Sequence, residues 1–307
     1  VTGEPSRTVL VLGATGKTGR QVVRHLRARG ASVVAASRHP DVVPAAEAVA
    51  FDWYDPRSWS AVLESRRFDA TYLVPPVRDP EPATVMLPFL RAAREAGVRR
   101  AVLLGAKPVP AGGPGIGRVA ARLPELLPEW AVLRPSWFMQ DFLGEHYLAR
   151  MLGTRGALLT TSPGGRLAFI DTADVAAVAT EALLRPEPPN TELILTGPEA
   201  LTYTDVAAIL SRVAGSDVRA RTVDAPELVS ELAATMPRAL ASLLVAADEA
   251  LGRGGSDEVS DTVEQTTGHR PRTFEEFALA AWADGTLRIG REDDAGDPAP
   301  LDRSRST

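Results

Sequence analysis

The chain has 307 residues, 45% of them hydrophobic, and a formal net charge of −5. That is enough for one large packed domain, or a large one with a smaller companion. The mild acidity and the lack of a basic stripe argue against nucleic acid as a partner. The absence of cysteine excludes disulfides, thiolate metal sites and Cys nucleophiles. No apolar run is long enough to span a bilayer, so no membrane is expected as a partner. Val1 to Arg7 is polar and lacks the apolar core of a secretory leader, so a cytoplasmic protein is expected. Among 34 basic residues only Lys17 and Lys107 are lysines, which limits the side chains available for catalysis. Four histidines without close pairing predict no metal site.

In chain order, Thr8–Leu12 is a short apolar, β-branched run that predicts a buried strand. A helix follows over Gln21–Arg29, with Val22, Val23 and Leu26 on one face and Gly30 closing it. Further strands are predicted at Ser32–Ala36, Ala48–Phe51, Ala70–Val74, Ala101–Leu104 and Trp130–Leu133, with a helix over Val85–Ala96. Strands alternating with helices predict right-handed βαβ units, hence an α/β, Rossmann-type, doubly wound parallel sheet. Beyond Arg150 the rhythm loosens. Short strands are predicted at Leu167–Ile170, Glu192–Leu195 and Val218–Val223. Helices are predicted at Ala173–Leu184, Tyr203–Ala214, Ala225–Thr235, Arg238–Leu251 and Phe274–Trp282. The expected division is a nucleotide-binding domain over 7–150, a smaller substrate-side α/β domain over 151–290 with some segments packing back on the main sheet, and a disordered polar tail over 291–307.

Glycines at 13, 16 and 19 fall between the first strand and the first helix. There they let the backbone turn sharply and approach a pyrophosphate, whose charge the helix N-terminus favours. Thr15, Lys17 and Thr18 complete this turn. The second strand ends Ala36-Ser37-Arg38-His39 without the acid that NAD enzymes place against the ribose hydroxyls. Arg38 can fork onto a 2′-phosphate and Ser37 can add a hydroxyl, which points to NADP(H). Asp52 can accept from the adenine amino group or serve its own turn. Val74, Pro75 and Pro76 end the fourth strand, where ligands bind beyond strand C-termini. Gly105 and Pro135, at the ends of the fifth and sixth strands, complete the expected cofactor contacts.

With these residues placed, the chain resembles the NmrA-like branch of the atypical short-chain dehydrogenase/reductases, and within it the festuclavine/agroclavine dehydrogenase group. The matching blocks include GATGKTG (13–19), AASR (35–38), FDWYDPRSW (51–59), ATYLVPP (70–76), AVLRPSWFMQDF (131–142), LTGPEALTYTDVAAILSRV (195–213) and TGHRPRTFEEFA (267–278). The resemblance implies reduction of a C=N bond, as an imine or iminium, with NADPH. The departures lie near the expected chemistry. Leu104-Gly105-Ala106-Lys107 lacks the family's small hydroxyl residue, and Gln140-Asp141 replaces a common Glu-Asn.

Carbonyl-reducing relatives use a Tyr four residues before a Lys, the Tyr protonating the developing alkoxide. Here Tyr54, Tyr72, Tyr147 and Tyr203 are followed at that spacing by Ser58, Pro76, Met151 and Ala207. An iminium needs no such donor. Trp137, Phe138, Met139 and Phe142 follow the sixth strand and are the candidate substrate contacts, with Phe142 one helical turn beyond Phe138. Asp141, one turn from Glu145, either offers a carboxylate to a cation or belongs to a solvated helix face. Lys107 orients substrate, donates a proton or sits on the surface, and His146 is read as structural or exposed within a helix. The expected partner is a small molecule, a cyclic imine or iminium. A non-redox cyclase or isomerase, and an NmrA-type dinucleotide-sensing regulator, are the alternative functions.

Overall fold

In the computed structural model, residues 7–43, 47–76, 79–254 and 256–290 are described. The tail expected over 291–307 lies outside them. In chain order the elements begin β1 (Thr8–Leu12), α1 (Gly19–Ala28), β2 (Ser32–Ser37), β3 (Glu47–Ala50), α2 (Pro56–Ser65), β4 (Ala70–Leu73), α3 (Ala83–Glu95), β5 (Arg100–Leu104), α4 (Ile116–Leu126) and β6 (Glu129–Pro135). They continue α5 (Tyr147–Arg155), β7 (Ala157–Thr160), α6 (Thr172–Leu184), β8 (Thr191–Leu195), α7 (Tyr203–Ala214), β9 (Arg219–Thr222), α8 (Ala225–Ala233), α9 (Arg238–Leu251), α10 (Thr262–Thr267) and α11 (Phe274–Ala283). No helix among the described residues is long and apolar enough to cross a membrane.

The described chain forms two compact units. The first holds the residues up to Phe138, together with Ile170–Pro198 and Val259–Arg272, and the second holds Met139–Phe169, Glu199–Glu258 and the residues from Thr273. The change of unit thus comes at Phe138, ahead of the boundary expected near residue 150, and the chain returns twice to the first unit.

The first unit is a seven-stranded sheet in the order β3-β2-β1-β4-β5-β6-β8, parallel throughout. This is the doubly wound, Rossmann-type sheet expected from the alternating pattern. Both faces are buried, as alternate residues of β1 show. Leu10 and Leu12 pack with Phe89 and Trp59 on one side, while Val9 and Val11 pack with Val22, Leu26 and Val175 on the other. On the first side Phe51, Trp53, Trp59 and Phe89 meet edge to face at centroid distances of 5.1–5.9 Å, a favoured aromatic geometry.

In the second unit β7 pairs in parallel with β9, and Phe142, Phe169 and Phe274 form an aromatic core at 5.0–5.7 Å. The strand expected at Leu167–Ile170 is absent. Leu167 makes an isolated antiparallel bridge to Leu201, and Ile170 a parallel one to Phe138, each in its own unit. The helix inferred across Phe138–Glu145 is also absent. Met139–Phe142 is a short 3-10 turn, and His146 stands before α5 as its N-cap, Nδ1 accepting from the Leu148 amide at 3.5 Å.

One charged residue ties the first unit together. Arg100, at the start of β5, is 1% exposed. Its Nη2 lies 2.7 Å from Glu129, and its guanidinium donates to the carbonyls of Ala182, Leu183, Arg185 and Pro186 at 2.6–3.2 Å. The Ala182 and Leu183 carbonyls lie in the last turn of α6 and those of Arg185 and Pro186 just beyond it, at the negative end of its dipole, and Leu183 also accepts from Arg7 at 3.0 Å. Burial lowers the Arg100 pKa, opposed by Glu129. Arg100→Met should therefore destabilise the protein by about 1–3 kcal/mol, since it leaves several carbonyls around the end of α6 without a donor. Denaturant unfolding tests this, and a loss below about 1 kcal/mol would contradict the role.

Candidate functional site

The turn between β1 and α1 is built by its glycines. Gly13 has φ +68°, a conformation that favours glycine, and a β-carbon there would come within 2.8 Å of Val74 Cβ. At Gly16 an added β-carbon would lie 3.2 Å from the Gly13 carbonyl, and at Gly19 it would collide with that carbonyl outright. The Gly16 amide donates to the Gly13 carbonyl at 2.9 Å, and the Ala14 amide ties the turn to β2 through the Ala36 carbonyl at 3.2 Å. Thr18 precedes α1 without a side-chain cap, so the first amides of the helix are not claimed by a capping side chain. Thr15 and Gly16 are exposed, Lys17 is half-buried and Thr18 buried. A cradle this close, at a helix N-terminus, suits a pyrophosphate.

The second strand delivers Ser37 to the same place. Its hydroxyl lies 3.2 Å from the Thr15 hydroxyl and accepts from the His39 amide at 3.2 Å. Arg38 is exposed beside it. Asp52 serves its own turn: Oδ1 accepts from the Tyr54 amide at 3.0 Å, and its carbonyl accepts from Trp59 Nε1 at 2.8 Å. At the end of β4 the Val74 carbonyl accepts from Trp53 Nε1 at 3.0 Å, and Pro75 and Pro76 follow, half-buried.

A second group gathers at the ends of β5 and β6. The Gly105 amide donates to the Leu133 carbonyl at 2.7 Å, and the Lys107 amide to the Pro135 carbonyl at 2.8 Å. The Lys107 carbonyl in turn accepts from Arg134 at 2.6 Å. A β-carbon on Gly105 would press the Leu133 carbonyl at 3.2 Å, so this strand end is tightly packed. Trp137 and Phe138 follow, both half-buried, with the Trp137 carbonyl accepting from the Ile170 amide at 2.9 Å.

The other candidate substrate contacts fall in the second unit, where Met139 is 0% and Phe142 1% exposed. Phe142 is held in the aromatic core, which leaves Trp137 and Phe138 as the accessible part of the run. Asp141 is buried rather than on a solvated helix face, 3.9 Å from His146 Nε2. Glu145 is exposed and pairs instead with Arg150 at 2.9 Å.

Sequence reasoning missed a polar cluster in the second unit. The Tyr147 hydroxyl is hydrogen-bonded with that of Tyr203, and its pKa is pushed up by burial first and then by the Asp141 and Asp248 carboxylates. Tyr203 is pushed up too, chiefly by burial. Asp248 accepts from the Thr160 hydroxyl and from the amide and hydroxyl of Thr161 at 2.6–3.0 Å. Only α7 and α9 bring Tyr203 and Asp248 to Tyr147, so no local spacing announces the cluster.

Residues 130–278 match the NmrA-like family and residues 13–122 an NAD(P)H-binding family. An uncharacterized oxidoreductase of Bacillus subtilis, YesF, is 38% identical over 89% of this chain and 94% of its own. The chain belongs to the NmrA-like family. Agroclavine dehydrogenase of Claviceps fusiformis is 32% identical over 88% of this chain and 96% of that protein. Among solved structures, NADPH-dependent quinone oxidoreductase QOR2 of Escherichia coli superposes with a TM-score of 0.76 at 22% identity, covering 89% of this chain and 99% of that one. This NmrA-like protein is thus an NAD(P)H-dependent oxidoreductase related to the agroclavine dehydrogenases.

The contact between Gly19 and Gly13 yields a direct prediction. Gly19→Ala forces two backbone segments apart, and no flexible side chain can relieve the collision. NADPH affinity should fall by at least about tenfold, or about 1.4 kcal/mol, in a calorimetric titration of folded protein. Parental affinity would show that the turn does not need this approach.

Proposed function

We propose that this chain is an NADPH-dependent reductase of cyclic imines or iminium ions. The observation that carries the proposal is negative and local: none of the four tyrosines precedes a lysine at the spacing that carbonyl reduction uses. A ketone becomes an alkoxide and needs a proton. An iminium is already cationic and becomes a neutral amine. The kinship with agroclavine dehydrogenase, at 32% identity, supports the same class.

When bound, the cofactor supplies the hydride equivalent. In this proposal the residues of the chain bind and orient. Gly13, Thr15, Gly16, Lys17, Thr18 and Gly19 receive the pyrophosphate at the start of α1. Ser37 and Arg38 receive the 2′-phosphate, the guanidinium by its fork of donors. Asp52 faces the adenine, while Val74 to Pro76, Gly105 and Pro135 wall the strand ends. Trp137 and Phe138 hold a flat cationic substrate through their ring faces and keep water from it. Lys107 orients the substrate at the end of β5. Asp141 acts within the second unit, helping to hold the Tyr147 hydroxyl protonated.

The test is a comparison of NADPH oxidation with a cyclic iminium and with its ketone analogue. General-acid catalysis is worth about 10²–10⁴-fold, so the ketone should be slower by that order. Tyrosine-to-Phe variants, Tyr147→Phe foremost, should retain iminium turnover. Faster ketone reduction would overturn the proposal. So would loss of iminium turnover in a folded Tyr147→Phe protein, which would reveal a proton donor among the buried hydroxyls.

A further inference from the structure

A cavity of about 750 Å³ runs along the outer side of α1, within the first unit, lined among others by Thr15, Arg20, Arg24, Arg27, Val42 and Val43. Positions 20, 24 and 27 share one helix face. All three arginines are exposed, and α1 contains no acidic residue to offset them. Neither Arg20 nor Arg24 has an ion-pair partner among the described residues. The Arg24 charge is felt locally, adding to burial in lowering the His25 pKa. Facing this cationic wall is an apolar one, with Val42 59% exposed.

A wall of guanidinium donors opposite a wall of valine matches one kind of molecule: an organic anion with an apolar body. The guanidiniums pair with its sulfonate, carboxylate or phosphate group, and the valines cover the rest. The volume is that of a small-molecule pocket. It is too small for a nucleic acid, which the net charge of −5 also disfavours. The cavity meets the seat assigned to the dinucleotide at Ala14 and Thr15 and extends away from it along α1. Ser37 and Arg38 do not line it, and Arg27 lies about 12 Å along α1 from Gly19 at the helical rise per residue. We propose that the outer face of α1 is a binding site for a small amphiphilic organic anion that adjoins the cofactor site at Thr15, can be filled with the cofactor in place and is independent of which substrate is reduced.

The probe is 8-anilinonaphthalene-1-sulfonate, an apolar ring system bearing one sulfonate, followed by its fluorescence in the presence of saturating NADP⁺. One probe should bind per chain with NADP⁺ in place. Arg24→Glu should weaken it by at least about tenfold, as expected for a lost charged hydrogen bond, and Arg20→Ala should weaken it too. NADP⁺ affinity of Arg24→Glu, measured by calorimetry, should stay at the parental value and so report that the protein is folded. If Arg24→Glu does not retain NADP⁺ binding, Arg24→Gln takes its place with the same expectation. Displacement of the probe by NADP⁺, equal probe affinity in the variants, or no saturable probe binding would each overturn the proposal.

Discussion

The backbone of Gly19 sits so close to the Gly13 carbonyl that a β-carbon at residue 19 would overlap it. That approach lets α1 start directly above the end of β1, so the helix N-terminus faces the crevice beyond the strand ends. It also sets the position of β4, because Val74 closes on Gly13 from the other side. In the strand order β1 lies between β2 and β4, which is where a doubly wound sheet changes direction and opens for a ligand. The hydroxyls of Thr15 and Ser37 meet at this point, joining the turn to the strand end where the adenosine half of a dinucleotide is discriminated. Without the glycine contact neither the helix dipole nor the strand-end residues would converge.

Lys107, the lysine outside the glycine turn, belongs to a packed corner where Gly105, Arg134 and Pro135 fix its backbone. In the second unit the Tyr147 and Tyr203 hydroxyls lie near the Asp141 and Asp248 carboxylates. Two carboxylates near a phenol oppose its ionisation, as burial also does, so these tyrosines stay neutral. In the proposed reaction the acceptor is already activated, so binding and water exclusion would be the protein's main contributions.

Most of the first unit was legible because its strands are short β-branched runs buried on both faces, and its glycine turn stands in the strand–turn–helix context that gives the motif meaning. The helices α2, α4, α5 and α10 and the strand β7 are not among the elements the sequence pattern predicts. In α2 only Trp59, Val62 and Leu63 are buried, and α4 follows a glycine with φ +57° and carries Pro124 inside it, so composition hid both. The spacing of Phe138 and Phe142 suggested a helical face, yet tertiary packing overrode it. Phe138 pairs with Ile170 in one unit while Phe142 enters the aromatic core of the other. The hydroxyl cluster was illegible for a different reason: its members come from separate helices, and a single sequence carries no record of that meeting.

Cofactor choice rests on Ser37 and Arg38 standing where other dinucleotide enzymes place an acid. The most direct measurement is calorimetric titration of NADPH and NADH into the parent protein and into Arg38→Ala. The parent should bind NADPH more tightly. The substitution should weaken NADPH by about ten- to a hundredfold, the value of a charged hydrogen bond, and leave NADH nearly unchanged. Equal losses for the two cofactors, or tighter binding of NADH by the parent, would contradict the account.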